Sequence, residues 1–224
     1  YILFILILLS FAISLSGRSK TFRSIMMSDG LSDLLVNTIY KDSSGFVWLG
    51  TDNSLDRLDG IHIKSYSFDG VDTKRKRVNA LVETDDVFLW VGNGAGLWVL
   101  DRHNGEMIRV LPDWIDMTVW SIAYNGHDTL FLGTNKGLCI ISIERFRGSG
   151  KFLESDFKQV LIDANVLSLS NRIKSINLDD SGIVWLASSK GLYSYSLQDA
   201  KINSHLTESD IPQELEFRTM TRMG

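Results

Sequence analysis

Asn37, Asn79, Trp120 and Lys174 stand 42, 41 and 54 residues apart, and side chains of these types could hold a sugar. An amide both donates and accepts hydrogen bonds, so it can meet sugar hydroxyls in either sense, and an indole face can stack on a pyranose ring. Two positions after each of them comes an aliphatic residue: Ile39, Leu81, Ile122 and Ile176. A polar or aromatic column beside an apolar one predicts exposure at a channel mouth, where concavity and free polar groups coincide. The competing reading is structural. In it Asn37 and Asn79 satisfy loop backbone groups, and Trp120 packs with Trp114 under the 112–117 connection.

Other chemistries find less support in the chain. GNGAG at 92–96 resembles a dinucleotide loop, but the apolar strand LWVL follows it. A helix N-terminus for pyrophosphate is therefore missing, and a turn is expected. His62, His103, His127 and His205 lack the short spacings of a zinc site, and Cys139 lies in an apolar strand, so neither metal nor cofactor is expected. Asp85–Asp86 and Asp179–Asp180 fall in turns, where Asp is favoured for its own backbone hydrogen bonds. Sialidase-like chemistry would want an arginine cluster and an acid–base pair, whereas Arg57, Arg102 and Arg145 fall near blade exteriors or loop edges by register.

The elements that carry these residues repeat. Trp48, Trp90, Phe131 and Trp185 anchor four similar strands, FVWLG, FLWVG, TLFLG and IVWLA. Nine residues before each anchor stands Ile or Leu, seven after stands Leu, and two after stands Gly50, Gly92, Gly133 or Ala187. Each unit reads as a strand, a polar turn such as DSSG, the anchor strand, a second turn, a third strand and an outer fourth. Four short strands at a period near 42 are the signature of a β-propeller blade. The anchors fill the gap between blades, and the small residue on the same face leaves the neighbour room. The fold class is therefore all-β, a propeller of four-stranded antiparallel blades at about 35–69, 77–112, 117–146 and 171–203. EFRTM at 216–220 echoes TFRSI at 21–25, so the start of a further unit is expected at 212–224, as part of an incomplete ring or a larger propeller. The 21–26 segment is expected either to close the ring as an outer strand or to pair with a missing neighbour.

Composition agrees with a globular chain, at 44% hydrophobic and 22% charged residues with 2 prolines. A net charge of -4 and a pI near 5.6 give no electrostatic reason to bind nucleic acid. The KRKR cluster at 74–77 reads as a solvated connecting loop. Residues 1–16 are uncharged and apolar, too short for the ~20 residues of a membrane span. Ser14 and Ser16 precede Gly17 as a cleavage site requires, so 1–17 reads as a secretory signal peptide, truncated at its start, and 18–224 as the exported sensor domain. An uncleaved anchor is the alternative. Cys139 is the single cysteine, so the fold has to survive an oxidising compartment without a disulfide.

The first unit, FRSIMMSDGLSDLLVNTIYKDSSGFVWLGTDNSLDRLDGIHIKSYSF, resembles the two-component regulator propeller of periplasmic sensors in hybrid two-component systems. The pattern matches at Gly30-Leu31-Ser32, Asp42, Gly45, Trp48, Gly50-Thr51, Leu55, Arg57 and Asp59-Gly60, with Ser54 in place of a glycine that returns as Gly96, Gly137 and Gly191. The resemblance implies an extracytoplasmic ligand-sensing propeller on the periplasmic side of the inner membrane. Its partners would be an oligosaccharide, the remaining blades and the downstream receptor domains, with a homodimer allowed. It also implies a histidine kinase part that would regulate transcription and is absent from these residues, so this chain would not itself be an enzyme. A glycan-processing enzyme of lyase or sialidase type, and a protein-interaction scaffold, are the alternatives.

Overall fold

The computed structural model describes residues 23–84, 87–110 and 116–210. The apolar runs become four antiparallel meanders, each paired in sequence order. The first holds β1 (Val36–Lys41), β2 (Val47–Thr51), β3 (Leu55–Leu58) and β4 (Ile63–Tyr66). The second holds β5 (Val78–Glu83), β6 (Phe88–Asn93), β7 (Gly96–Asp101) and β8 (Met107–Arg109). The third holds β9 (Val119–Tyr124), β10 (Thr129–Thr134), β11 (Gly137–Ser142) and β12 (Phe157–Val160), and the fourth β13 (Ile173–Leu178), β14 (Ile183–Ser188), β15 (Gly191–Ser196) and β16 (Ile202–Thr207). The four first strands lie side by side, β1 on β5, β5 on β9 and β9 on β13. Radial stacking of β-propeller blades is the result.

The stacking follows from the small-residue column. A Cβ on Gly50 would come within 2.5 Å of Val78, and one on Gly92 within 2.5 Å of Val119. A Cβ on Gly133 would stand 2.9 Å from Ile173. Each of these glycines thus lies under the first residue of the next blade, closer than any side chain allows. Val78, Val119 and Ile173 are fully buried by that contact, and Trp48, Trp90 and Phe131 are at most 1% exposed between the blades. The anchor of the fourth blade, Trp185, is only half-buried. At the other end Val36 is 38% exposed and Ile39 68%, whereas the equivalent Leu81 and Ile176 are each 9% exposed. Among the described residues no blade covers that face, and the ring is not closed.

Two boundaries differ from the sequence reading. The third blade does not end at 146, because the short helix α1 (Glu144–Ser149) interrupts the repeat and the outer strand β12 comes after it. The fourth extends past 203 to Thr207. Residues 23–26 form no strand, so the described part of the 21–26 segment does not supply an outer strand. The chain after it is tied down at Ser32, whose N–H and Oγ both donate to the buried carboxylate of Asp56, at 2.8 and 2.7 Å. Ser54 Oγ joins the same group, 2.7 Å from Asp56 Oδ1 and 2.6 Å from Ser32 Oγ. A use for the serine that replaces glycine is therefore visible. The signal-peptide reading of 1–17, Trp114, Asp85–Asp86 and the 212–224 unit lie outside the described residues.

Candidate functional site

The four sugar-site candidates occupy one structural position. In the first blade Val36 pairs with Thr51 and Thr38 with Gly50, leaving Asn37 unpaired between them. The same slip leaves Asn79 between Val78 and Ala80, Trp120 between Val119 and Ser121, and Lys174 between Ile173 and Ser175. Each candidate is thus the extra residue of a β-bulge near the start of an innermost strand. A bulge re-aims a side chain that regular pleating would direct elsewhere. All four are half-buried.

The bulges bring neighbouring candidates together across the blades. Lys174 Nζ lies 3.6 Å from the centroid of the Trp120 ring, a cation–π contact that occupies one indole face. The Trp120 Nε1–H is buried and makes no hydrogen bond. Asn79 Nδ2 donates to the carbonyl of Val119 at 2.8 Å, bridging the second and third blades. The backbone role expected in the structural reading is therefore real for Asn79. Asn37 instead donates from Nδ2 to Asp52 Oδ1 at 2.7 Å, with Arg77 Nε 3.6 Å from the same carboxylate oxygen. The KRKR segment is a connecting loop with structural ties, since Arg75 pairs with Asp116 at 2.5 Å and donates to the Gly94 carbonyl. Chemically the column carries amides, a carboxylate, a half-buried indole ring and cations, groups that suit a polyhydroxylated ligand.

At the opposite ends of the first strands the DxxG turns fasten the anchors. Asp42 Oδ1 accepts from the Phe46 N–H at 2.9 Å and Oδ2 from the Trp48 indole at 2.8 Å, while Gly45 takes φ 90°. Thr84 and Trp90 repeat the six-residue link at 3.2 Å, and Asp179 and Trp185 at 3.1 Å. In the third blade Asn125 Oδ1 accepts from the amides of His127, Asp128 and Thr129, and Phe131 asks nothing of it. The Asp42 side chain is fully buried and lies 3.1 Å from Arg102, which also pairs with Glu83. Arg102 is therefore not at an outer edge as register implied. Burial would raise the Asp42 carboxyl, but the Trp48 indole, the Phe46 amide and Arg102 together hold it below the usual range.

The Asp179 carboxyl is pulled from 3.8 to about 2, chiefly by the Ile183 amide and the Ser181 hydroxyl. Its contribution to stability is present above pH about 4 and fades as pH falls through 2, because the depressed folded-state value favours the ionised form. Asp179→Asn should accordingly lower the urea midpoint at neutral pH, with the gap from wild type closing as pH approaches 2. A gap that persists unchanged down to pH 2 would show that ionisation of Asp179 contributes nothing.

The remaining sequence candidates separate from the rim. Residues 92–96 form the β6–β7 hairpin turn, with Asn93 paired to Gly96. Cys139 is buried and its thiol is pushed up to about 12 by that burial, so it stays protonated and unreactive. His205 Nε2 meets Ser194 Oγ at 2.8 Å, and its ring lies 4.8 Å from Trp185. Among the described residues no cluster of three His, Cys, Asp or Glu could hold a metal. Sequence reasoning missed the Asp42–Arg102–Glu83 group and the clasp of Lys174 over Trp120.

Residues 30–53 match the family model of the two-component regulator propeller. They carry the Gly30-Leu31-Ser32 tether, β1, the DSSG turn and β2. Among solved structures, PorZ, a surface component of the type-IX secretion system of Porphyromonas gingivalis, is 17% identical over 80% of this chain and 23% of its own, with a TM-score of 0.59. A catalytically inactive virginiamycin B lyase from Staphylococcus aureus is 14% identical over 78% of this chain and 57% of its own, TM-score 0.58. The extracellular domain of a hybrid two-component system from B. thetaiotaomicron is 17% identical over 80% of this chain, TM-score 0.44, and the chain spans 28% of its length. The search of curated proteins gives no significant match. At these identities the structural likenesses concern the fold alone. The segment 30–53 thus matches a two-component regulator propeller repeat, and it is set in a chain folded as a β-propeller of four-stranded antiparallel blades.

Proposed function

We propose that this chain is the ligand-receiving propeller of a hybrid two-component sensor, placed outside the cytoplasmic membrane, and that its ligand is an oligosaccharide bound at the bulge column. The regulator propeller repeat supports the sensor reading, and the column supports the place. Asn37, Asn79, Trp120 and Lys174 share one bulge position, on strands that neighbour one another. A repeat that keeps an extra, half-buried residue in four copies and fills it with amide, indole and ammonium groups has the means to read hydroxyl positions. In the complete receptor, occupancy would bias a two-state element that governs the kinase and so transcription. The homodimer and the downstream receptor domains belong to the same proposal.

The test is a calorimetric titration of the complete receptor with neutral oligosaccharides of defined linkage, namely malto-, xylo-, galacto- and fructo-series. Saturable binding by one series, without product formation, is expected. Turnover of any series would replace the sensor reading with an enzymatic one. Binding by none of them would remove the sugar from the proposal.

A further inference from the structure

The interface between the first and second blades contains an unfilled cleft of about 190 Å3, lined by Asp42, Phe46, Trp48, Arg57, Arg102 and His103 among others. Comparison with the next interface shows why it is open. There Phe88 and Trp90 stand where Phe46 and Trp48 stand here, and Phe146 of α1 plugs the gap, its ring centroid 5.3 Å from both. Phe152 adds a second ring 6.3 Å from Trp90. In the second blade the chain passes from β7 to β8 through the short turn after Asp101 and supplies no such plug. The cleft is smaller than the several hundred Å3 of a drug-sized site, so it suits one ring-sized or smaller group.

We infer that this cleft binds the carboxylate of a small organic acid, with Arg57 as its principal contact. The Arg57 guanidinium carbon sits 4.4 Å from the Phe46 centroid and 5.9 Å from that of Trp48, so the aromatic rings hold the plane of the fork. Its Nε–H is buried and has no hydrogen-bond partner. Among the described residues no carboxylate lies within ion-pair distance of it, and its charge acts only at longer range on the Asp59 carboxyl, whereas Arg102 beside it is already matched by Asp42 and Glu83. Asp42 on the cleft wall is ionised, and the Arg102 guanidinium 3.1 Å away offsets its charge. A planar carboxylate is the group that uses two parallel N–H donors of a guanidinium at once. The aromatic wall leaves room for an apolar or sugar ring behind it. This site is independent of the bulge column and of the sugar proposed there.

The test is calorimetry on the full chain with D-glucuronate, benzoate and glucose. At least one of the two acids should saturate and glucose should not; glucuronate alone identifies an acidic sugar, and benzoate alone or with glucuronate a more general carboxylate site. Arg57→Gln should weaken binding about tenfold or more, while Arg57→Lys keeps part of it because a point charge lacks the fork. Failure of both acids to saturate, or unchanged affinity in Arg57→Gln, overturns the proposal. Should Arg57→Gln not fold, the Nε–H resonance of Arg57 in the wild type decides: it must shift on titration, and an unmoved resonance under saturating acid also overturns the site.

Discussion

Asp42→Ala is expected to destabilise the chain by about 3 to 5 kcal/mol, the range for removing one partner from a buried ion pair. The carboxylate has no exposed surface and serves three donors at once. It caps the Phe46 amide, takes the indole N–H of Trp48 and faces Arg102. Alanine would leave the buried Trp48 indole N–H without an acceptor, at a cost of roughly 1 to 3 kcal/mol, and would uncap the part-buried Phe46 amide as well. Arg102 would keep Glu83, which limits the charge part of the loss. Urea unfolding monitored by tryptophan fluorescence is the check, and a midpoint within error of wild type would contradict the clasp. Asp42→Asn should lose less, since the amide oxygen still accepts one bond.

Trp90→Ala is expected to cost about as much, roughly 3 to 5 kcal/mol as for other buried large aromatics. Trp185→Ala should cost clearly less. Both are anchors of the same column, and the difference is their cover. Trp90 is fully buried and packed by Phe146 and Phe152. Trp185 is half-buried and rests on His205, so its removal opens a site already reached by water. Equal losses for the two variants would mean that the stacking of successive blades does not set the energetics of the repeat.

These contrasts bear on what the sequence could tell. The anchors and the Gly50, Gly92, Gly133 column were legible because each position meets the same neighbour in every blade, so one packing constraint is written several times at a fixed period. Strand β12 was not legible, since α1 and the residues after it insert where the period would place an outer strand. The group of Asp42, Glu83 and Arg102 was hidden for a different reason. Its members are brought together only when two blades stack, and no local pattern joins residues so far apart in the chain. The column of Asn37, Asn79, Trp120 and Lys174 was visible as a break in apolar alternation. That the break is a bulge was not, because one extra residue on a strand leaves no mark in the hydrophobic period. Nor could the sequence show that Lys174 covers one face of Trp120.

The sugar site proposed for the sensor stands on that column, and its most direct test is the double variant Asn79→Ala, Trp120→Ala in the complete receptor. The double variant and wild type would be titrated by calorimetry with the oligosaccharide series that wild type binds, after circular dichroism has shown the double variant folded. The account predicts that affinity falls at least tenfold, about 1.4 kcal/mol or more, since a stacking surface and the amide that bridges Val119 are both lost. Unchanged affinity in the folded double variant would contradict it and move the ligand elsewhere.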